Sequence, residues 1–451
     1  MSPTQSKFSP ANQTQWTNLV DNVLKGMPID SLTRRDEDGL EIKALYDVLP
    51  VKSASDLAVS AARLPVDPQR YIAHGWDICQ PVDGRLDPQT CNRLILDELE
   101  DGAGSLWLAG LTVDGDMALA ARMQDVVLNA AGVCLDSGNN VLAHLVGFAN
   151  LARQRGCALS EMRFGANIDP FAPEADTALL ANGLSYLGSA AAEDLPPRLF
   201  GIGGWHWHNR GMTTVQELAY ILAGLTAVLR HANHQAIDFA SLLPRLSATL
   251  ALPADLFDGV VKCRALRQCW AGILAPLGFD AAQHRLFIHG ATSLRMFATL
   301  DIEVNMLRTT TALLGGAIGG VDQMSAFAHD CLASSSADGR RLARMQQHLL
   351  IEESGLSRSL DPAGGAGFIE ERTHDLARAV WAAFQKIEAD GGAEAMQAGG
   401  RFAAWARASA AQRFDRFACG NLQLVGVNLQ PENRHFPRSE EHTSELQSPC
   451  N

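Results

Sequence analysis

The chain has 451 residues and a formal net charge of −13, and 47% of its residues are hydrophobic. That length and that apolar content are enough for a large domain with a sizeable core. The chain is acidic and has no Lys/Arg-rich run. It is therefore a poor candidate for binding nucleic acids or anionic membranes, since both depend on clustered positive charge.

The first residues and the cysteines indicate the cellular compartment. The opening stretch MSPTQSKFSPANQTQW has neither the apolar segment of a signal peptide nor an Arg-rich transit pattern. No window approaches the roughly 18 apolar residues of a transmembrane helix. The nine cysteines form no Cys-x-x-Cys pair, which is typical of reduced thiols. We therefore expect a cytoplasmic protein.

The last residues, RSEEHTSELQSPCN, are polar and show no periodic pattern. The run from Arg438 to Ser448 resembles the translation of a common sequencing adapter, so residues 438–451 are interpreted as foreign to the protein. On that interpretation the natural chain can continue beyond Pro437.

Residues 1–70 are predicted to form an extension in front of the main domain. The spacing of apolar residues predicts an amphipathic helix from Gln13 to Leu24, which Gly26 and Pro28 end. Its apolar face contains Trp16, Leu19, Val20, Val23 and Leu24. The next stretch, SLTRRDEDGLEIKALY, has the pattern of extended chain. Two interpretations stay open: this arm packs on its own domain, or it wraps around a partner subunit.

Short apolar or glycine-rich runs alternate with helical patterns in residues 71–420. Eight runs are candidate strands: HGWDICQ, SLWLAGL, GVCLDSG, EMRFGAN, FGIGGWH, RLFIHGA, DQMSAFA and LSRSLDP. Repeated strand–helix units predict an α/β protein with a parallel sheet, and eight units predict a (β/α)8 TIM-type barrel. Its active site is expected at the C-terminal ends of the strands. Residues 421–437 are predicted to leave the barrel as a linker.

The candidate strands carry unusually small side chains for this fold, whose axis is ordinarily filled by Val, Ile and Leu. The small residues are Ser137, Gly138, Gly165, Ala166, Asn167, Gly201, Gly203, Gly204, Gly290, Ala291, Thr292 and Ser293. They predict an axis with room for an extended ligand. The alternative is that some of them belong to loops at the strand ends, where glycine is common.

The stretch GGWHWHNRG, residues 203–211, alternates two tryptophans with two histidines. In a strand, His206 and His208 would share one face and Trp205 and Trp207 the other. The histidines could satisfy a strand end, bind a substrate carbonyl or bind a metal. No nearby Cys, Asp or Glu completes a ligand set for a metal.

Two long stretches resemble the methylmalonyl-CoA mutase family. The first, MLRTTTALLGGAIGGVDQMSAFAHD (306–330), has paired threonines after an arginine and Gly-Gly-x-Asp before the next strand. The second (350–392) contains Glu-Glu-Ser, Asp-Pro-Ala-Gly-Gly and a Gly-Gly ending. Shorter pieces agree: IKALYDVLP, GWDICQ, VQELAYILA and VGVNLQP. The resemblance covers roughly residues 40–430.

The resemblance implies a carbon-skeleton isomerisation between (R)-methylmalonyl-CoA and succinyl-CoA, with adenosylcobalamin as the cofactor. In such an enzyme the cofactor carries out the hard chemistry, and the protein supplies binding, orientation and shielding from water. The CoA arm of the substrate threads a barrel lined by small residues in this family, which agrees with the open axis predicted above.

Bacterial members often pair a catalytic chain with a related chain that has lost key residues, and this chain resembles the second, small (beta) type. GANIDPFA stands where catalytic chains carry Thr-Ile-Gln-Asn-Asp, and Tyr71 does not lie in their Arg-Gln-Tyr-Ala-Gly-Phe stretch. None of the 13 histidines has an aspartate two residues before it, so the cobalt-ligating Asp-x-His-x-x-Gly motif is absent. The resemblance implies a non-catalytic subunit that pairs with a large catalytic subunit.

Aligned with the family, His206 falls on a histidine that hydrogen-bonds the thioester carbonyl, and Trp205 replaces a tyrosine. His206 is therefore the candidate catalytic contact, and Trp205, Asn167 and Ser293 are candidate substrate-binding residues. Asn167 and Asp169 have a plainer explanation as turn residues. No residue is assigned to a metal or to the cofactor.

Two alternatives to the small-subunit hypothesis stay open. One is a catalytic acyl-CoA mutase barrel whose cobalamin domain is truncated or on another chain. The other is an unrelated metal-dependent barrel hydrolase that uses His206 and His208.

Overall fold

The computed structural model describes residues 12–46 and 61–431. The adapter-like tail and the last residues of the predicted linker lie outside this described part. The amphipathic helix is confirmed as α1, Gln13–Leu24. It begins with a capping box in which Asn12 accepts a hydrogen bond from Gln15 N (2.9 Å), and it ends at Lys25 in the left-handed conformation.

A short antiparallel hairpin follows α1 and pairs Arg34–Arg35 with Glu41–Ile42. Its turn, which we call the acidic turn (Asp36, Glu37 and Asp38), contacts the C-terminal face of the main domain. Asp36 pairs with Arg372 at 2.6 Å and Glu37 with Arg295 at 3.0 Å. The hairpin therefore packs on its own chain.

Helix α1 has a different environment from the hairpin. None of its described side chains is buried. Leu19 and Val23, on the predicted apolar face, are 66% and 78% exposed. Of the two interpretations of the arm, packing on its own domain applies to the hairpin. The apolar face of α1 is only partly covered within the described residues, since Trp16, Val20 and Leu24 are half-buried and Leu19 and Val23 are exposed.

Eight parallel strands close into a barrel in which each strand pairs with the next one along the chain and the last pairs with the first. They are β1 Asp77–Asp83, β2 Ser105–Ala109, β3 Gly132–Asp136, β4 Phe164–Ile168, β5 Arg198–Gly203, β6 Leu246–Leu252, β7 Phe287–Thr292 and β8 Gln323–Ser325. The TIM-type fold predicted from the strand–helix alternation is confirmed, and seven of the eight candidate strands coincide with barrel strands.

The sixth strand differs from the prediction. The strand β6 has the sequence LSATLAL, and all of its residues are buried. A strand covered on both faces has no polar alternation and resembles a buried helix segment in sequence. The prediction of a strand at LSRSLDP is wrong: Leu356–Arg358 form a 3-10 turn, and Asp361, which follows it, pairs with Arg264.

Helices pack around the barrel and follow its strands. They are α2 Pro68–His74, α3 Pro88–Glu100, α4 Asp116–Arg122, α5 Val141–Gln154, α6 Leu179–Ser189, α7 Gly204–Asn209, α8 Thr214–His234, α9 Phe239–Leu242, α10 Leu256–Leu274, α11 Val304–Ile318, α12 Ala337–His348, α13 Gly367–Ala389, α14 Gly392–Ala398 and α15 Arg401–Ala418. Within the described chain, no helix is both long and apolar enough to cross a membrane.

Candidate functional site

The stretch GGWHWHNRG does not continue β5 as a strand, because Gly204–Asn209 form the short helix α7. Successive side chains of a helix point about 100° apart, so the predicted shared face of His206 and His208 is wrong. A glycine is required where α7 starts. A Cβ atom at Gly204 would lie 2.7 Å from the Ile221 side chain on α8, and Gly204 therefore lets the two helices approach.

Trp205 packs inside the barrel against rings that come from other walls. Its ring centroid lies 5.2 Å from that of Trp107 on β2 and 5.5 Å from that of Phe327, which follows β8. The indole N–H of Trp205 donates to the Thr292 carbonyl on β7 at 3.1 Å. The ring of Trp107 also lies 5.0 Å from His289 of β7. We call Trp107, Trp205 and Phe327 the axial aromatic cluster.

This cluster corrects the prediction of an open axis. Small residues do line the barrel, and the space that they leave is filled. Trp107 and Trp205 are buried, and they pack with Cys79, Cys134, Ala251 and Ala291 from four strands. Cys134 on β3 even reaches His289 on the opposite strand β7, with Sγ and Nδ1 3.8 Å apart. The axis is therefore closed at this level by aromatic rings and not by branched aliphatic layers.

Four of the small residues lie just beyond the strands, as the alternative interpretation of strand-end loops predicts: Ser137, Gly138, Gly204 and Ser293.

Trp107 was missed as a residue that fills the axis, although the alternation within SLWLAGL was a signal for it. Leu106 and Leu108 face outward, so the residue between them faces the axis. The prediction of an open axis rested on the small residues and left out this one large residue.

His206 lies beside Trp205, with the two ring centroids 5.2 Å apart, and reaches the end of β3. Its Nε2 lies 3.1 Å from a carboxylate oxygen of Asp136, and both side chains keep partial contact with solvent. Burial favours the neutral imidazole, but the charge and hydrogen bond of Asp136 outweigh it and raise the pKa of His206. The same pairing lowers the pKa of Asp136 against the effect of burial. The pair is a histidine–carboxylate contact at the barrel mouth that favours the protonated imidazole.

Asn167 and Asp169 hold the ends of β4 and β5 together. Asn167 has a positive φ of 48° at a register irregularity between these strands, and its amide donates to Cys134 Sγ at 2.9 Å. Asp169 accepts hydrogen bonds from Gly203 N at 2.7 Å and from the Tyr220 hydroxyl at 2.8 Å. Burial raises the pKa of Asp169. These contacts agree with a structural role for both side chains.

His208 lies on the other side of the mouth, at the ends of β6 and β7. Its Nε2 is 3.0 Å from the Ser293 hydroxyl and its Nδ1 is 2.8 Å from Glu217, which also pairs with the buried Lys262. Burial and the charge of Arg295 lower the pKa of His208 to about 4. Burial would raise the pKa of Glu217, but Lys262 and His208 lower it to about 2.

Ser293, His208 and Glu217 have the connectivity of a nucleophile–base–acid triad. Their electrostatics do not suit that chemistry. Lys262 neutralises the carboxylate that would stabilise an imidazolium, and a base whose pKa is about 4 is weak at neutral pH. The arrangement instead anchors α7 to β6 and β7.

The structure therefore separates the four predicted site residues. Trp205 lies in the axial cluster, His206 reaches the end of β3, Asn167 lies on β4 and donates to Cys134 on β3, and Ser293 lies beside His208. His206 and His208 do not share a ligand set. Within residues 12–46 and 61–431, no group of three or more His, Cys, Asp or Glu side chains is arranged to hold a metal ion.

Residues 97–447 match the family model described as methylmalonyl-CoA mutase. The chain is 33% identical over 421 residues to the methylmalonyl-CoA mutase small subunit of Streptomyces virginiae, which covers 87% of this chain and 66% of that protein. It is 31% identical over 447 residues to the probable methylmalonyl-CoA mutase small subunit of Mycobacterium tuberculosis, covering 94% of this chain and 69% of the relative.

A large subunit also shows similarity, over a shorter stretch. The methylmalonyl-CoA mutase large subunit of Streptomyces virginiae is 34% identical over 232 residues, which are 50% of this chain and 31% of that protein. The chain spans about two thirds of the length of the small subunits that it matches.

Proposed function

Because the chain belongs to the methylmalonyl-CoA mutase family, we propose that it is the barrel of a small subunit that supports a catalytic large subunit without turning over substrate itself. The complex would interconvert (R)-methylmalonyl-CoA and succinyl-CoA with adenosylcobalamin, in the cytoplasm. The domain boundaries are part of the proposal: an arm at 1–70, a barrel at 71–420 and a linker at 421–437.

The axial aromatic cluster is the observation that carries this proposal. A substrate with a long CoA arm needs a continuous passage to reach the strand ends from inside the barrel. Trp107 and Trp205, with 3% and 9% of their surface exposed, occupy that passage together with Phe327. Binding such a ligand along the axis would require at least two indole rings to leave a packed site, and this cost opposes binding.

The comparisons support the small-subunit assignment. The matched small subunits align with 87% and 94% of this chain, whereas the matched large subunit aligns with half of it. The paired names also support a large-subunit partner. The exposed residues Leu19 and Val23 on the apolar face of α1 supply a surface for such a partner.

The described residues do not fit a cobalt site formed by this barrel. His206 is engaged by Asp136, and His208 by Ser293 and Glu217. The sequence also has no Asp-x-His-x-x-Gly motif. We therefore propose adenosylcobalamin for the complex and assign no cobalt ligand among the described residues of the barrel.

The roles of individual site residues stay predictions. A contact between His206 and a thioester carbonyl requires the acyl group to reach the mouth of the barrel, where Asp136 competes for the same imidazole nitrogen. Trp205, Asn167 and Ser293 are engaged by Thr292, Cys134 and His208 respectively. We propose that these four residues maintain the mouth of the barrel in the present chain.

The test is acyl-CoA binding measured by calorimetry on the full chain, with and without the aromatic cluster. We expect no saturable binding of succinyl-CoA by the wild-type protein. The single change Trp205→Tyr should not restore binding, since Trp107 still fills the axis, whereas Trp107→Ala combined with Trp205→Tyr should open the passage. Val113→Ala, at an exposed residue in the loop after β2, is the matched control.

Two results would contradict the proposal. One is tight binding of succinyl-CoA by the wild-type chain. The other is mutase activity of the chain alone with added adenosylcobalamin, which would favour the catalytic-barrel hypothesis. Co-expression with a large subunit tests the partner: recovery of both chains in one complex is expected.

A further inference from the structure

A cavity of about 440 Å³ lies at the C-terminal rim of the barrel, and we call it the rim cavity. The acidic turn, the ends of β6 and β7, and the C-terminal helix α15 enclose it. Its volume is in the range of small-molecule binding sites. His208 and Ser293 contribute to its wall, while the axial aromatic cluster is not part of its described lining. The rim cavity is therefore separate from the barrel axis.

One wall of this cavity carries an excess of positive charge. Arg295 and Arg413 both pair with Glu37, at 3.0 and 3.3 Å. Arg308 lines the same cavity, and its described partners are a side-chain amide oxygen and a backbone carbonyl. Arg416 lines it too and has no carboxylate within ion-pair distance among the described residues. Two of these four guanidinium groups share one carboxylate, and the other two have none within ion-pair distance among the described residues.

The other acidic groups of the cavity, Asp36, Asp38, Asp255 and Asp258, form no ion pair with that wall among the described residues. Asp36 and Asp258 both pair with Arg372, and Asp38 accepts a hydrogen bond from Val215 N at 3.1 Å. Asp255 caps the start of α10. The arginines also repel one another. Burial, followed by the charges of Arg295 and Arg416, lowers the pKa of Arg413 to about 10.

We propose that the rim cavity binds a small organic oxyanion, a phosphate ester or a carboxylate, through Arg413 and Arg416. These residues are three positions apart on α15, so their side chains lie on the same side of the helix. Guanidinium groups form paired, charge-assisted hydrogen bonds with both kinds of anion. An anion there would relieve the repulsion between the arginines. This site is independent of the proposed mutase role.

Because of the position of Glu37, the proposal predicts the direction in which the affinity for an anion changes when this carboxylate is removed. Its carboxylate already contacts Arg413 and Arg295, so it competes with an incoming anion for the same guanidinium groups. Removing its charge by Glu37→Gln should strengthen anion binding. A purely structural role for the arginines predicts no gain in binding from this change.

The experiment is calorimetric titration of the full chain with inorganic phosphate and, separately, malonate. Saturable binding of at least one is expected, and the stronger probe identifies the anion class. Arg416→Gln should weaken binding about tenfold, equivalent to about 1.4 kcal/mol, because it removes one charge-assisted hydrogen bond to the anion. It should not lower the unliganded melting temperature, since Arg416 has no ion-pair partner among the described residues to lose and its charge repels Arg413.

Arg407→Gln is the matched control, because Arg407 lies on the same helix and is exposed. Its binding should equal that of the wild type. The proposal is overturned if neither anion binds saturably, if Arg407→Gln and Arg416→Gln weaken binding equally, or if Glu37→Gln weakens it. Equal losses would indicate adventitious binding to surface charge.

Discussion

His206 and His208 lie two residues apart in one short helix, and their surroundings shift their pKa values in opposite directions. His206 reaches the partly exposed carboxylate of Asp136 at the end of β3, which raises its pKa above the ordinary value although burial opposes this. His208 is enclosed at the ends of β6 and β7, where burial and Arg295 lower its pKa to about 4. The same residue type in one motif therefore holds a proton more readily on one side of the mouth and less readily on the other.

The two sides also differ in how they are built. On the His208 side, Glu217 and Lys262 form an ion pair with no exposed side-chain surface, and Lys262 also donates to the Ala251 carbonyl at 2.7 Å. On the His206 side, the pair with Asp136 keeps contact with water. A buried network holds strand ends together, whereas a hydrated pair contributes little to stability.

The largest expected effect comes from breaking the buried network. Glu217→Gln leaves the Lys262 ammonium without its carboxylate in a site that excludes water. We expect a loss of about 3–5 kcal/mol in the free energy of unfolding, measured by denaturant titration. Asp136→Asn is the control on the other side and should cost about 1 kcal/mol or less. Equal losses would contradict the contrast between the two sides.

The next largest loss of stability is expected from a change in the axial aromatic cluster. Trp107→Ala removes a buried ring that touches Trp205, His289 and Phe327. We expect a loss of about 3 kcal/mol, at the lower end for such a change, because Phe327 is only partly buried and can move inward. Denaturant titration measures it. A loss below about 1 kcal/mol would indicate that the axis is loosely filled.

The sequence predicted the barrel well because strand–helix alternation is a local pattern. It did not predict β6, whose complete burial removes alternation, or the helical conformation of GGWHWHNRG, which depends on the close approach that Gly204 allows to α8. The partners of His206 and His208 could not be predicted either. Asp136 and Glu217 are distant in sequence from at least one of their contacts and meet them only when the barrel closes.

Titration should distinguish the two histidines by the sign of their effect. The pKa of His208 is about 4 in the folded state against an ordinary 6.5, so the unfolded chain takes up its proton first. Stability is therefore lost as the pH falls from about 6.5 to 4. The pKa of His206 is raised, so its contribution is present below 6.5 and is lost as the pH rises through the folded value.

Unfolding free energies of His208→Gln and His206→Gln across this range test the signs. His208→Gln should flatten the acid decline by about 2 kcal/mol or less. Because burial of Glu217 opposes its ionisation while Lys262 and His208 lower its pKa to about 2, its contribution is lost only below about pH 4.5. The steeper decline at more acid pH should therefore remain. If the unfolding free energies of the two variants depend on pH in the same way, the opposite pKa shifts of His206 and His208 are contradicted.

The smallest expected effect on stability comes from the arm, where the contrast between packed and uncovered chain is sharpest. Deleting residues 1–28 removes α1, none of whose described side chains is buried, and should change the unfolding free energy by about 0.5 kcal/mol or less. Deleting residues 1–40 also removes the acidic turn and its pairs with Arg295 and Arg372, so that truncation should cost more stability.

The shorter deletion therefore tests the partner-binding role of α1 without disturbing the barrel. If α1 covers a large subunit, burying Leu19 and Val23 contributes about 1.5–3 kcal/mol each before ordering costs, and co-purification of the large subunit should fall. Full recovery of the large subunit by the 1–28 deletion would assign α1 no part in that interface.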